Sequence, residues 1–303
     1  PEIRDGISEL VARRGIDLVQ LEHLPLGQYA AGLPAGLPRV LLFQDVASSV
    51  LRQQVRISGG MRKWLLYREW DRSRYWEKRY AAAAGNVFVL SRKDQRVVES
   101  WDVGARCAVL PPLFGEGFFD PPAGETEAGN VLFVGAMHRW VNIDAARLLK
   151  EKIMPLVVRE CPLARATVVG DRPPASLRAL AAPDFRVTGA VESLGPFLGR
   201  AAVFAAPLRV AGGVIVKVLQ AMAAGKPVVA TRAANAGIGA EEEKEILVAD
   251  RPEDFARKVI GLLRDRARAA AVGEAGRRFV RDRCDPERSR RRIDEIYAAA
   301  GRR

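Results

Sequence analysis

At 303 residues the chain has room for two ordinary domains, and 49% hydrophobic with 28% charged residues is the balance of a globular protein. No apolar run approaches the roughly 18–20 residues of a membrane-crossing helix, and two histidines, His23 and His138, are too few for a His-rich metal site. The net charge of +12 draws anionic partners, but an Ala- and Arg-rich composition accounts for it equally well, so charge alone names none.

The chain begins Pro-Glu-Ile-Arg, with neither a Met nor a charged-then-apolar leader pattern. It reads like the middle of a fold, so residues upstream are expected. Ile3, Ile7, Leu10 and Val11 share one face of a helix over 3–14, which Gly15 ends. Strands are expected at Ile16–Leu21, Arg39–Phe43, Asn86–Leu90 and Cys107–Leu110, the last stopped by Pro111-Pro112. The stretch Arg52–Tyr80 carries nine Lys/Arg against three Asp/Glu, interleaved with Trp64, Tyr67, Trp70, Tyr75 and Trp76. Basic and aromatic residues at helical spacing suit an interfacial helix on anionic lipid. They also suit single-stranded nucleic acid, by stacking and phosphate contact, and an amphipathic helix that packs its aromatics on its own domain with solvated arginines outside. No nucleic-acid motif accompanies the charge.

A loop rich in Gly, Pro and Glu (115–129) separates this half from a second strand–helix series. There the expected order is strand Asn130–Val134, helix Asp144–Val158, and strands Arg165–Val169, Phe185–Thr188 and Val203–Ala206. Helix Val214–Ala224, strands Pro227–Ala230 and Ile246–Ala249, and a helical tail from Glu253 follow. Strands alternating with helices make each half an α/β domain with a parallel sheet. Cys107, Cys161 and Cys284 match no metal-ligand spacing and read as reduced thiols of a cytoplasmic protein.

In such sheets ligands bind beyond the carboxyl ends of the strands, so chemistry is sought there. Val-Leu-Phe-Val-Gly, ending at Gly135, is a buried strand whose glycine lets backbone amides approach an anion ahead of a helix. Gly170 ends a second strand. After Pro207, Gly212-Gly213 open a helix, Lys217 lies one turn in with an ammonium able to neutralise a diphosphate, and Gln220 follows at i+3.

These pieces resemble the C-terminal domain of the GT-B glycosyltransferases of the large retaining family 4, the glycosyl transferases group 1. Residues 130–285 show in order F-V-G (133–135), V-V-G (168–170), V-T-G-A-V-E (187–192), A-P-L-R (206–209) and L-Q-A-M-A-A-G-K-P-V-V-A (219–230). The N-terminal half is similar, more loosely, to the family's acceptor domain. Phe43-Gln-Asp45 stands in the place of its His-Asp pair, Val89-Leu-Ser91 matches a strand end, and the family's first strand and glycine-rich loop are missing.

The resemblance implies two Rossmann-like domains, the first incomplete, with a C-terminal helix packing back on it. The expected divisions are 1–118 for the acceptor side, 119–285 for nucleotide-sugar binding and 286–303 for the crossover helix. It implies a metal-independent hexosyltransferase without a cofactor. Such an enzyme moves a sugar from a nucleotide diphosphate sugar with retention. The acceptor is expected to be lipid-linked or a polysaccharide, and the protein to be cytoplasmic and, through residues 52–80, peripheral on the inner membrane face. Lys217, Arg139 and Asp45 are the expected catalytic residues. Gly135, Gly170, Glu192, Arg209, Gly212, Gly213 and Gln220 are expected to bind substrate, with Gly135, Arg209, Gly213 and Lys217 converging on the cleft.

The family's cationic pair falls on Ala136 and Val141, which leaves Arg139, His138 and Lys217 as substitutes. Its two glutamates fall on Gly212 and Gln220, and Gln44 replaces its histidine. A catalytically degenerate nucleotide-binding relative or scaffold therefore stands as the alternative.

Overall fold

The computed structural model describes residues 2–115, 117–120 and 124–301. Pro1 and residues 302–303, which close the expected terminal segments, and part of the 115–129 loop lie outside them, as do the side chains of residues 2–4, 8 and 12, and hence Ile3. Two compact units form: Pro1–Leu113 with Gly212–Val214 and Cys284–Arg303, and Phe114–Ala211 with Ile215–Arg283.

The first unit begins with helix α1 (Glu2–Arg14), strand β1 (Val19–Glu22) and a 3₁₀ segment (Leu24–Gly32). Then come β2 (Arg39–Phe43), α2 (Ala47–Ile57), α3 (Gly60–Ala84), β3 (Asn86–Val89), α4 (Arg92–Glu99) and β4 (Arg106–Val109). Its sheet is parallel throughout and runs β1-β2-β3-β4 in sequence order. One face packs Leu41, Phe43, Val87 and Val89 against Ala81, Ala84, Val98 and Trp101. The other packs Val40, Leu42 and Phe88 against Ile296 and Ala300 of the last helix, α13 (Pro286–Gly301). Tyr297 of that helix hydrogen-bonds Gln20 and sets its ring edge-on to Phe88, and Ser289 donates to the Pro112 carbonyl at 3.1 Å. The chain's end thus packs on the first sheet, as expected of a crossover helix.

The expected Arg52–Tyr80 helix is two helices. Ser58 and Gly59 are extended between them, and Gly60, at φ +55°, takes a backbone conformation that costs glycine little. The orientation of α3 settles the packing alternative: Trp64, Tyr67, Tyr75 and Trp76 are exposed, while Trp70 is half-buried. Most of its aromatics do not pack on their own unit. What α3 buries instead is Glu77, Ala81 and Ala84.

The second unit holds β5 (Asn130–Val134), α5 (Trp140–Leu148), a π turn (Leu149–Ile153), α6 (Met154–Glu160) and β6 (Arg165–Val169). It continues with α7 (Ala175–Arg178), β7 (Phe185–Val187), α8 (Gly195–Arg200), β8 (Val203–Ala206), α9 (Val216–Ala223) and β9 (Val228–Ala230). It closes with α10 (Arg232–Asn235), β10 (Leu247–Val248), α11 (Pro252–Arg264) and α12 (Arg266–Arg283). Strands β5, β8 and β9 are buried along their whole length, which fits a parallel sheet covered on both faces. The strand order is β10-β9-β8-β5-β6-β7, all parallel. Within the unit that is the doubly wound order 3-2-1-4-5-6, which reverses between β5 and β8. Cys107, Cys161 and Cys284 form no disulfide.

Candidate functional site

Doubly wound sheets bind ligands beyond the carboxyl ends of the strands where the order reverses, here between β5 and β8, and Gly135, Asn142 and Lys217 meet there. Strand β5 ends at buried Gly135, whose N–H donates to the Val169 carbonyl at 2.9 Å. Two residues on, Met137 N–H donates to the Asp171 carbonyl at 3.0 Å, so the turn is stitched to the end of β6. A Cβ on Gly135 would stand 2.7 Å from the Asn142 amide carbon and 2.9 Å from the Lys217 ammonium. A Cβ on Gly170 would overlap the Gly135 carbonyl oxygen. Glycine at these two places is a steric requirement of the turn.

Lys217 lies in the first turn of α9, and its ammonium donates to Asn142 Oδ1 at 2.6 Å and lies 5.0 Å from the centre of the Phe133 ring. Asn142, buried in α5, donates its own amide to the Ala136 carbonyl at 2.8 Å. The amide thus clamps the β5–α5 turn to Lys217. Loss of water at this place pushes the Lys217 pKa down to about 7, and the Arg139 guanidinium adds to the shift. Helix α5 starts from Arg139 and α9 from Ile215, and neither helix has a side-chain cap. By contrast α4 is capped by Ser91 and α10 by Thr231. Uncapped helix N-termini beside a lysine and an arginine favour an anion, whose oxygens take up first-turn N–H groups and positive charge together.

Of the expected residues, the structure thus brings together Gly135, Gly170, Arg139 and Lys217. Gln220 is half-buried one turn further along α9. Arg209, just past β8, is held in a two-pronged ion pair with Asp144 of α5, with Nε 2.8 Å from Oδ2, so it braces the helix that carries Asn142. Exposed His138 faces Arg172 at 3.1 Å and Asp171 at 3.4 Å. Glu192 is exposed between β7 and α8.

The glycine pair departs from its expected place. Helix α9 begins at Val216 instead of Val214, and Gly212 and Gly213 do not open it. They belong with the first unit, where a Cβ on Gly212 would come 2.7 Å from Asp45 Oδ2, and one on Gly213 would overlap the Gln44 carbonyl oxygen. Gly213 has φ +54°, which a side chain would strain. Asp45 itself follows β2 and is half-buried. Beneath that loop Glu77 of α3, fully buried, accepts the Ser48 N–H at 3.0 Å, and its second oxygen has no hydrogen-bond partner among the described residues. Burial pushes Glu77 up to about 7, with the Asp45 charge adding to it.

Sequence reasoning missed Asn142 and Glu77. Asn142 meets Lys217 across 75 residues of chain, and no local pattern marks such a partner.

Residues 128–265 match the family described as Glycosyl transferases group 1. No curated protein matches the chain in sequence. Among solved structures, the sucrose-phosphate synthase of Thermosynechococcus elongatus is similar over 99% of this chain and 77% of its own, at 18% identity and a TM-score of 0.78. Anabaena HepE in complex with UDP and glucose is similar over 98% of this chain and 81% of its own, at 14% identity and a TM-score of 0.73. TarM of S. aureus is similar over 92% of this chain at 14% identity and a TM-score of 0.74, and the chain spans about half (54%) of that protein. These likenesses, at low identity, establish the fold: two Rossmann-like α/β units of the GT-B class. The family match is confined to the segment 128–265 of the second unit, which is similar to the glycosyl transferases group 1.

Proposed function

We propose that the protein transfers a hexose, with retention and without a metal, from a nucleoside diphosphate sugar to a hydroxyl of a lipid-linked or polysaccharide acceptor. The observation that carries the reading is the Lys217 ammonium, held by Asn142 under Gly135 at the strand-order reversal of the second sheet. The leaving group of such a reaction is a nucleoside diphosphate, and its departure is eased by positive charge and N–H donors aimed at the phosphates. In this reading Lys217 and Arg139 supply the charge, while Gly135 and Gly170 keep the turn bare so that backbone can approach. Gln220 takes the ribose hydroxyls with one acceptor and one donor group. Glu192 lies toward the nucleobase. Arg209 acts by bracing α5 through Asp144. Asp45 orients the acceptor hydroxyl, with Gly212 and Gly213 leaving room beside it. HepE was solved with UDP and glucose, which supports a nucleotide sugar as the donor here. The reading places the enzyme in the cytoplasm, at the inner membrane face when its acceptor is lipid-linked.

The second reading is a relative that binds nucleotide without turnover. Gln220 in place of a carboxylate, with Ala136 and Val141 where the family carries cations, favours it. A melting-temperature panel of UDP, GDP and ADP, run beside hydrolysis and transfer assays with the matching sugars, separates the two. Transfer expects at least one nucleotide to raise the melting temperature, a matched sugar nucleotide to be consumed, and Lys217→Ala to lower both effects by at least about tenfold. Stabilisation without consumption leaves the binding reading. No stabilisation by any nucleotide removes both.

A further inference from the structure

Helix α3 presents a mixed apolar and cationic stripe on the side opposite the one it buries. Glu77, Ala81 and Ala84 face inward, with Leu66, Trp70 and Ser73 half-buried on the same side. On the outward side Met61 is 72% exposed, Trp64 52%, Leu65 53% and Tyr75 55%. Arg68 and Arg72 fall between Leu65 and Tyr75, and Arg79 follows, at three- and four-residue steps, so apolar and cationic side chains share one face. Residues 61–79 on this face extend about 27 Å at 1.5 Å per residue. The guanidinium of Arg68 lies 5.1 Å from the Trp64 ring centre and that of Arg79 5.7 Å from Trp76, and Arg79 donates to the Tyr75 hydroxyl at 3.1 Å.

An ordinary solvated face does not look like this. Surface helices place apolar residues inward, and a large contiguous exposed apolar patch marks an interaction site. Its charge says with what. Residues 52–80 carry nine Lys/Arg against Glu69, Asp71 and Glu77, and Glu77 is buried away from this face. Arginine and aromatic side chains share a chemical habit: apolar bodies with polar tips, which sit at the boundary between acyl chains and headgroups. Among the described residues no helix is long and apolar enough to cross a membrane, so a contact through α3 lies along the surface.

We infer that the outward face of α3 docks the protein on an anionic lipid bilayer, with Met61, Trp64, Leu65 and Tyr75 entering the interface and Arg68, Arg72 and Arg79 meeting lipid phosphates. Interfacial helices bind by apolar area plus attraction to anionic lipid, so both halves of the stripe contribute.

The test is sedimentation of the full chain, without nucleotide, with phosphatidylcholine vesicles containing none or about one third phosphatidylglycerol. The outcome is therefore independent of the donor reading. Binding is expected to the anionic vesicles, to weaken with added salt, and to fall at least about tenfold both in Met61→Ser/Trp64→Ser/Leu65→Ser and in Arg68→Glu/Arg72→Glu. These side chains are exposed, so an unchanged melting temperature certifies the variants' fold. Quenching of tryptophan fluorescence by brominated lipid, lost with Trp64→Ser, reads insertion directly. Absence of vesicle binding overturns the proposal, as does binding that both variants retain or equal binding to neutral vesicles. A dimer that the apolar variant disperses, or an RNA that the chain prefers to vesicles through the same residues, overturns it in favour of those partners.

Discussion

An ammonium held between the Phe133 ring and the Asn142 amide has exchanged most of its hydration for two contacts, and it loses its proton near pH 7. In the proposed site an arriving diphosphate reverses this, because two negative phosphates restore the ordinary preference for the charged form. Binding then takes up one proton wherever the empty site is neutral, which is above about pH 7. By linkage, the Kd of UDP should weaken by up to about tenfold per pH unit between roughly pH 7.5 and 9. Calorimetry in buffers of different ionisation enthalpy reads the proton directly. Lys217→Met should bind more weakly and show no such slope. A slope that survives the substitution would remove Lys217 from the phosphates.

At the scale of elements, the turn after β5 depends on how closely it passes the end of β6. A Cβ on Gly170 would overlap the Gly135 carbonyl oxygen, so Gly170→Ala must push the two strand ends apart. The expected loss is on the order of 2–4 kcal/mol, read as a fall in melting temperature together with weaker UDP binding. Gly195→Ala is the control: its nearest neighbour would be Ser193 Oγ at an ordinary 3.5 Å, and it should change neither. These elements also show what a sequence discloses. Buried parallel strands are written as apolar runs, and those of the second sheet lie where such runs predict them. Helix α4 carries a start signal legible in a local window, Ser91 with Asp94 three residues on. The expected helix 144–158 is broken by a π turn that ends just before Pro155, a residue with no N–H to give to a regular ladder. That the proline would shift the register instead of ending the helix is decided by packing, as is the side of α3 that faces outward. The Lys217–Asn142 bond and the partner of Gly212 depend on tertiary approach between distant segments and leave no mark in any local window.

At the scale of the whole molecule, buried Glu77 and half-buried Lys217 bias stability in opposite directions. Glu77 has its pKa raised from 4.5 to about 7, so the folded state binds more protons than the unfolded between those values. Its contribution is intact below about pH 4.5 and is lost as pH rises toward 7. Lys217 has its pKa lowered from 10.5 to about 7, so there the unfolded state binds more protons. Its contribution is intact above about pH 10.5 and is lost as pH falls toward 7. The two limbs meet near neutrality, where each group costs most. Differences between wild type and single variants isolate each limb from every other titration. Glu77→Gln keeps an acceptor for the Ser48 N–H and needs no proton. Its stability gain should grow from pH 4.5 to 7 and then stay level, at on the order of 3 kcal/mol. The gain from Lys217→Met should be largest at and below pH 7 and fade as pH rises, the reverse order. Denaturant unfolding from pH 5 to 9 measures both. A Glu77→Gln gain that is the same at pH 5 and pH 8 would mean that Glu77 keeps its charge in the folded protein, and that its second oxygen is satisfied by a partner outside the chain.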